Sequence, residues 1–276
     1  MADIVTGAAA PAVEEPDAGR RRSIPRSLIT LASLLFLIAL WEWFGRDVNP
    51  IFGSYPSAIA VAFWDLLRSG KLITALLESL QPFVVGYGLA IIVGVPLGLI
   101  IGRFRTMEAA LGIYVTAGYA MPLVALVPLL ILWFGLGFTV KAAVIFLMSI
   151  FPICINTWLG VRAVPKSLIE VGRSFVASDA VILRRIVLPA TLPYIMAGIR
   201  LAVGRAVVAM VIAEFFTSIS GLGAIIINSA NNFDTATMFV PIITLMVLAI
   251  GLNSLIGWIE HKAAPWQAEI AGRNQE

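Results

Sequence analysis

Long apolar runs broken by short polar stretches organise this chain. Six of them span approximately Leu28 to Phe44, Leu77 to Ile101, Leu111 to Leu136, Ala142 to Val164, Leu192 to Phe216 and Met238 to Ile259. A helix of roughly 20 apolar residues covers about 30 Å of hydrocarbon, so the pattern predicts an all-α membrane protein of about six transmembrane helices. Pro82 and Pro96 fall inside the second run and Pro122 and Pro128 inside the third; kinks or broken segments are expected there. The third run could be split at Pro122, and its total length argues for a single crossing.

Two polar stretches carry helical patterns of their own. In YPSAIAVAFWDLLRSGKL, after the first run, Ile59, Phe63, Leu66 and Leu67 follow helical spacing and Ser57 is placed to cap the start. An amphipathic helix lying at the outer interface is expected. In EVGRSFVASDAVILRRIVLP, between the fourth and fifth runs, Glu170, Arg173, Asp179, Arg184 and Arg185 concentrate charge in a chain that is otherwise poor in it. Ser167 and Glu170 read as a capping box opening one short helix. On it Leu168, Gly172 and Phe175 share a face, flanked by Ile169 and Val176. Ser178 is a good N-cap for a second helix, with Asp179 in the first turn and Arg184 and Arg185 near the last, an order that complements the helix dipole. Pro189 is expected to stop it. Spacing leaves two uses open: an ordinary positively charged loop, or a handle whose apolar residues sit in a groove on a soluble partner.

Composition excludes a soluble domain. The chain is 60% hydrophobic and 13% charged, with a mean hydropathy of +0.96, too little polar surface to cover an exterior. The net charge of +3 is read as orientation in the bilayer, with no nucleic acid as partner. Six spans put both termini on one side. That side carries thirteen Lys and Arg (Arg20, Arg21, Arg22, Arg26, Arg103, Arg105, Arg162, Lys166, Arg173, Arg184, Arg185, Lys262 and Arg273), against four on the other (Arg46, Arg68, Lys71 and Lys141). Both termini and the charged stretch are therefore expected in the cytoplasm. Residues 1–25, rich in Ala, Pro and Glu, read as a disordered cytoplasmic tail. A transmembrane domain follows over residues 26–262, then a cytoplasmic tail over 263–276. The first run is long for a signal peptide, and RDVNPIFG after it lacks a small-x-small cleavage site, so a retained span is expected. Cys154 and His261 each stand alone of their kind, and no metal site is expected.

Within the runs, Gly94, Gly98 and Gly102 form a small-x-x-x-small stripe expected to serve helix packing. Arg200 and Arg205 lie in the fifth run. A charge in hydrocarbon costs at least about 2.5–3.5 kcal/mol; Arg200 could snorkel to the interface, whereas the deeper Arg205 must face a partner or water. Glu214 lies nine residues further along the same helix, roughly 13 Å away, too far for a direct pair with Arg205. Arg205 and Glu214 are the candidates for a translocation pathway. The polar segment after Glu214 reads as a solvated loop with partial re-entry.

From Ser79 to about Trp258 the chain resembles the permease subunits of bacterial ABC importers, the nitrate, sulfonate and taurine class. Glu170 and the Ile186, Leu188 and Pro189 of I-x-L-P match that family's cytoplasmic "EAA" loop at its usual spacing. VALVPLLILWFGLG, LPYIMAGIRLAVGRA and the Gly221 to Gly223 GLG are also similar. Val171 and Gly172 stand where Ala-Ala is usual and Val176 where the motif has Gly. Because Val disfavours positive φ, the bend is expected to use another residue or a different geometry. The resemblance implies a coupling loop, about residues 165–190, on which Glu170, Gly172, Arg173, Ser174, Ala177, Ser178, Asp179, Ile186, Leu188 and Pro189 meet an ATPase. It further implies a homodimer, two cytoplasmic ATPase subunits, an extracytoplasmic substrate-binding protein, and a lipid setting in a bacterial inner membrane. The cargo would be a small oxyanion (alkanesulfonate, taurine or nitrate) or, alternatively, another small organic solute such as a vitamin precursor or aromatic acid. The chain has no Walker A sequence, so no catalytic residue and no cofactor is expected on it; ATP and Mg would bind the partner ATPase. An ion-coupled secondary transporter would need intramembrane acidic or His relays and inverted repeats, and the runs offer little beyond Glu214.

Overall fold

Five of the six apolar runs become single helices, the third is broken, and the polar breaks between runs set where the chain reverses. The computed structural model describes residues 26–217 and 220–263; the two expected tails, residue 263 apart, lie outside them. In order come α1 (Arg26–Asp47), α2 (Pro56–Arg68), α3 (Lys71–Arg103), α4 (Arg105–Ala120), a 3-10 turn (Leu123–Leu126), α5 (Val127–Phe134), α6 (Phe138–Ala163), α7 (Lys166–Ser174), α8 (Asp179–Ile182), a π turn (Leu183–Val187), α9 (Leu188–Thr217), α10 (Leu222–Asn231) and α11 (Thr235–Ala263). Among the described residues, five helical stretches are long and apolar enough to cross a membrane. The sixth expected span is α4 with the turn and α5, bent by 89° between them. Pro122 breaks this span because it follows an extended Met121 (ψ 139), the conformation a following proline imposes. Pro82 and Pro96 do not break α3, which runs on through both.

The core is α3 against α6 and α6 against α9. The α3 stripe lies on α6: a Cβ on Gly98 would fall 2.5 Å from the Cys154 carbonyl oxygen, and one on Gly102 2.6 Å from Val161 Cβ. Gly86, two turns earlier, is pressed against the Ala142 carbonyl in the same way. Small residues thus bring two backbones together where no hydrophobic force separates helix from lipid. α11 closes the other side on α9 and α10. α1 stands apart, most of its large apolar residues exposed, and meets the rest through α2 and through Trp41, whose indole N–H donates to the Ser54 carbonyl at 2.9 Å and whose ring meets Phe239 edge-on.

Several local expectations are corrected. α2 has Tyr55 as N-cap and Pro56 in its first turn, because proline's fixed φ suits that position. Ser57 does not cap it; its N–H and hydroxyl donate to Glu42 instead. α7 begins at Lys166 after Pro165, without a side-chain cap. Val164 is extended, as the residue before proline must be, so the helix starts before Ser167 and the capping box does not form. Pro189 does not stop a helix either. The five-residue π turn just before it lets α8 run into α9: Leu188 N–H donates to Leu183 O rather than to the residue four back. That wider turn accommodates the proline ring, which would otherwise meet the carbonyl of Arg185. Finally, the segment after Glu214 is not a solvated loop but α10, with Leu222, Gly223, Ala224, Ile226 and Ser229 buried.

Candidate functional site

The charged 165–190 segment folds as expected in outline. Ser178 caps α8, accepting from Val181 N–H at 3.4 Å. Ile182 and Val187 are buried with Val161 and Val164, and Ile169, Ala177 and Ile186 pack against them. Gly172 faces this cluster: a Cβ there would fall 2.9 Å from Ile186 Cδ1. Asp179 reaches Arg103 at the end of α3, 2.7 Å away, which ties the segment to the core. Glu170, Arg173, Ser174, Arg184, Arg185 and Leu188 are exposed, and Pro189 is partly buried.

The bend between α7 and α8 overturns one expectation. It is made by Val176 itself, at φ 55. Val176 N–H donates to Arg173 O at 2.8 Å and Ala177 N–H to Gly172 O at 3.1 Å, the paired bonds of a Schellman helix end with its left-handed residue at Val176. The bonds and the burial of Ala177 against the cluster outweigh the steric cost of a β-branched residue there, about 1–2 kcal/mol. The result is an apolar tip: Leu168 is 46% exposed, Phe175 82% and Val176 92%.

At the opposite end of the bundle, Glu214 is enclosed at 0% exposure. Its Oε1 accepts from Ser79 Oγ at 2.6 Å and its Oε2 from Gly223 N–H at 2.7 Å. Lys141 Nζ lies 3.6 Å from Oε1 and donates to Ser220 O at 2.8 Å and to Ser220 Oγ at 3.1 Å. Ser79 Oγ in turn accepts from Leu222 N–H at 2.9 Å, and Glu78 accepts from Gly221 N–H at 3.0 Å. The cluster takes the N–H groups of Gly221, Leu222 and Gly223 at the start of α10 and joins it to α3, α6 and α9. Gly221 sits at φ 98 with the Glu214 carboxylate where its Cβ would be; glycine alone fits. By sequence Lys141 falls among the four outer cations, but it is 2% exposed. A Lys at the mouth of an apolar run looks the same whether it faces water or a buried carboxylate; the only available signal was an unpaired Glu214 in the neighbouring span.

Arg200 pairs with Glu260 near the end of α11. Arg205 and Glu214 are not brought together. Arg205 Nη2 donates to the Tyr119 hydroxyl at 2.8 Å, and its guanidinium carbon lies 4.3 Å from the centre of that ring. Among the described residues no carboxylate forms an ion pair with Arg205. Tyr119 was not singled out from sequence, because an aromatic residue near the end of an apolar run carries no distinguishing pattern.

Known proteins share this architecture. Residues 94–265 match the family described as binding-protein-dependent transport system inner membrane component. A riboflavin transport system permease protein of Chloroflexus aurantiacus is 36% identical over 213 residues, 77% of this chain and 80% of the relative. A putative aliphatic sulfonates transport permease protein of Bacillus subtilis is 32% identical over 238 residues, 86% of each chain. A nitrate import permease protein of Leptolyngbya laminosa is 30% identical over 253 residues, 88% of this chain and 90% of the relative. Among solved structures, the inward-facing MetNI methionine ABC transporter matches with a TM-score of 0.56 at 17% identity, over 71% of this chain and 97% of that chain, a likeness of fold. With a family match over residues 94–265 and relatives at 30–36% identity covering most of the chain, the chain belongs to the binding-protein-dependent transport system inner membrane components, the permease subunits of ABC importers.

Proposed function

We propose that this permease imports a small oxyanion, an alkanesulfonate, taurine or nitrate, as a homodimer with its pathway between the two copies. Arg205 carries this reading. α9 is covered on its other sides by α3, α6, α10 and α11, and leaves bare a stripe of Ala197, Leu201, Gly204 and Val208. Arg205 sits on the edge of that stripe with a neutral hydroxyl as its partner. A guanidinium facing lipid would cost at least about 2.5–3.5 kcal/mol; facing a wet interface between copies, it supplies a positive charge to an anionic cargo. The sulfonate and nitrate relatives support the class of cargo.

In this reading the 165–190 segment lies in the cytoplasm of a bacterium, beneath the inner membrane, and two ATPase subunits receive its apolar tip. ATP and Mg bind those subunits. An extracytoplasmic binding protein delivers the cargo to the α10 end. ATP binding then shifts the spans between inward-open and outward-open states, through its unequal affinity for the two. A second reading, a flavin-class cargo, is favoured by the 36% identical riboflavin relative.

Two measurements test this. Mass spectrometry of what co-purifies in mild detergent should find an ATPase in equal stoichiometry, lost from a Glu170→Arg variant; its absence from the wild type would remove the motor. Uptake of labelled nitrate, methanesulfonate and riboflavin by cells expressing the whole transporter then decides the cargo. Uptake of riboflavin alone would replace the oxyanion reading with the second one.

A further inference from the structure

Tyr119 and Arg205 meet where the third span breaks. Tyr119 is the penultimate residue of α4, and the chain beyond Ala120 turns by 89° into α5. Its position is set from behind: Gly118 lies so close to the Phe151 ring of α6 that a Cβ there would collide with it. The end of α4 that carries Tyr119 is therefore packed on α6, and the guanidinium of Arg205 lies over the Tyr119 ring with one Nη2 to hydroxyl bond at 2.8 Å.

Two kinds of donor are left over by this contact. The phenol oxygen is the acceptor from Arg205, and no hydrogen bond from the Tyr119 hydroxyl to a protein acceptor is formed among the described residues. A guanidinium has five N–H donors in a rigid plane, and Tyr119 takes one of them. Beside them is open space: a Cβ on Gly204 would meet nothing within 4 Å.

We propose that Tyr119 is the second donor of a two-point oxyanion site. An N–H of Arg205 takes one oxygen of the cargo, and the Tyr119 hydroxyl donates to another oxygen on the same central atom. The contact with the ring and the hydroxyl keeps the guanidinium beside the phenol, so a free N–H and the phenol proton can serve one anion. Such a site suits anions with several oxygens on one centre, nitrate, sulfonate or carboxylate, whose separate oxygens can each take one donor. The inference rests on the oxyanion reading above and assigns that site its second residue.

The test compares Tyr119→Phe, which keeps the ring and loses the hydroxyl, with Tyr119→Leu, which loses both. Uptake of labelled methanesulfonate and of nitrate is measured at varied concentration in cells expressing the whole transporter, at matched amounts of assembled complex. A hydrogen bond to a charged group corresponds to about tenfold or more in affinity. If Tyr119 is a donor, Phe and Leu should both raise the half-saturating concentration by about that factor, with a smaller effect on the maximal rate. If Tyr119 only packs, Phe behaves as wild type and Leu alone is impaired, which overturns the proposal. A wild-type transporter that takes up neither anion overturns the oxyanion reading itself, and the site with it.

Discussion

Lys141 Nζ and Glu214 Oε1 stand 3.6 Å apart with their side chains 3% and 0% exposed, joining α6 to α9 at the end of the bundle where α10 begins. Neither charge has water to fall back on, so each depends on the other and on the hydroxyls and amides around them. Taking one partner from a buried pair costs about 3–5 kcal/mol, because the remaining charge is left uncompensated. Lys141→Met and Glu214→Gln should each lower the melting temperature of the detergent-solubilised complex sharply. The double variant should lose less than the sum of the two. Additive losses in that double-mutant cycle would show that the pair is not coupled.

Gly221→Ala is expected to damage the same region by another route. The added methyl meets the Glu214 carboxylate and forces a φ of 98 on a residue with a Cβ. Limited proteolysis between α9 and α10 should accelerate in this variant; an unchanged cleavage pattern would mean the turn relaxes around the methyl.

The bend at Val176 holds recoverable strain. Val176→Gly should stabilise the protein by about 1 kcal/mol if the Schellman bonds are kept, since glycine adopts the left-handed region freely. Thermal melting reads this directly, and a destabilised variant would mean that lost chain entropy outweighs relieved strain.

Two glycines of α3 should respond in opposite ways. Gly98→Leu drives a side chain into the Cys154 carbonyl and Thr157, whereas Gly88 has nothing within 4 Å of a built Cβ. Membrane levels of full-length protein should collapse for the first and hold for Gly88→Leu; equal levels would remove the close α3–α6 approach as the basis of assembly.

The helices were legible because apolar runs of spanning length admit few other structures. What was not legible depended on partners distant in sequence. Lys141 looked like an outside cation because Ser220 and Glu214 lie 79 and 73 positions away, and no local pattern joins them. Val176 was misjudged for the opposite reason: its local preference is real, but Ala177, Ile182 and Ile186 pack the chain so that the bend falls on it. Pro189 reads as a stop because its ring clashes with the carbonyl four residues back in a regular turn, and one wider turn removes that clash. Arg205 was recognised as needing a partner, yet Tyr119 could be identified only once α4 and α9 were side by side.

The passage of α8 through the π turn into α9 has a mechanical consequence. Asp179 to Thr217 forms a continuous helical rod of 39 residues, roughly 60 Å at 1.5 Å per residue, with the Asp179 to Arg103 tether at one tip and Glu214 near the other. A loop joined to a span by flexible chain would pass on only a pull. A stiff shaft also passes on torque, so a twist applied at Asp179 turns Arg205 about the shaft axis in the same stroke that loads the Glu214 cluster. The π turn is a place along it where winding could be taken up or released.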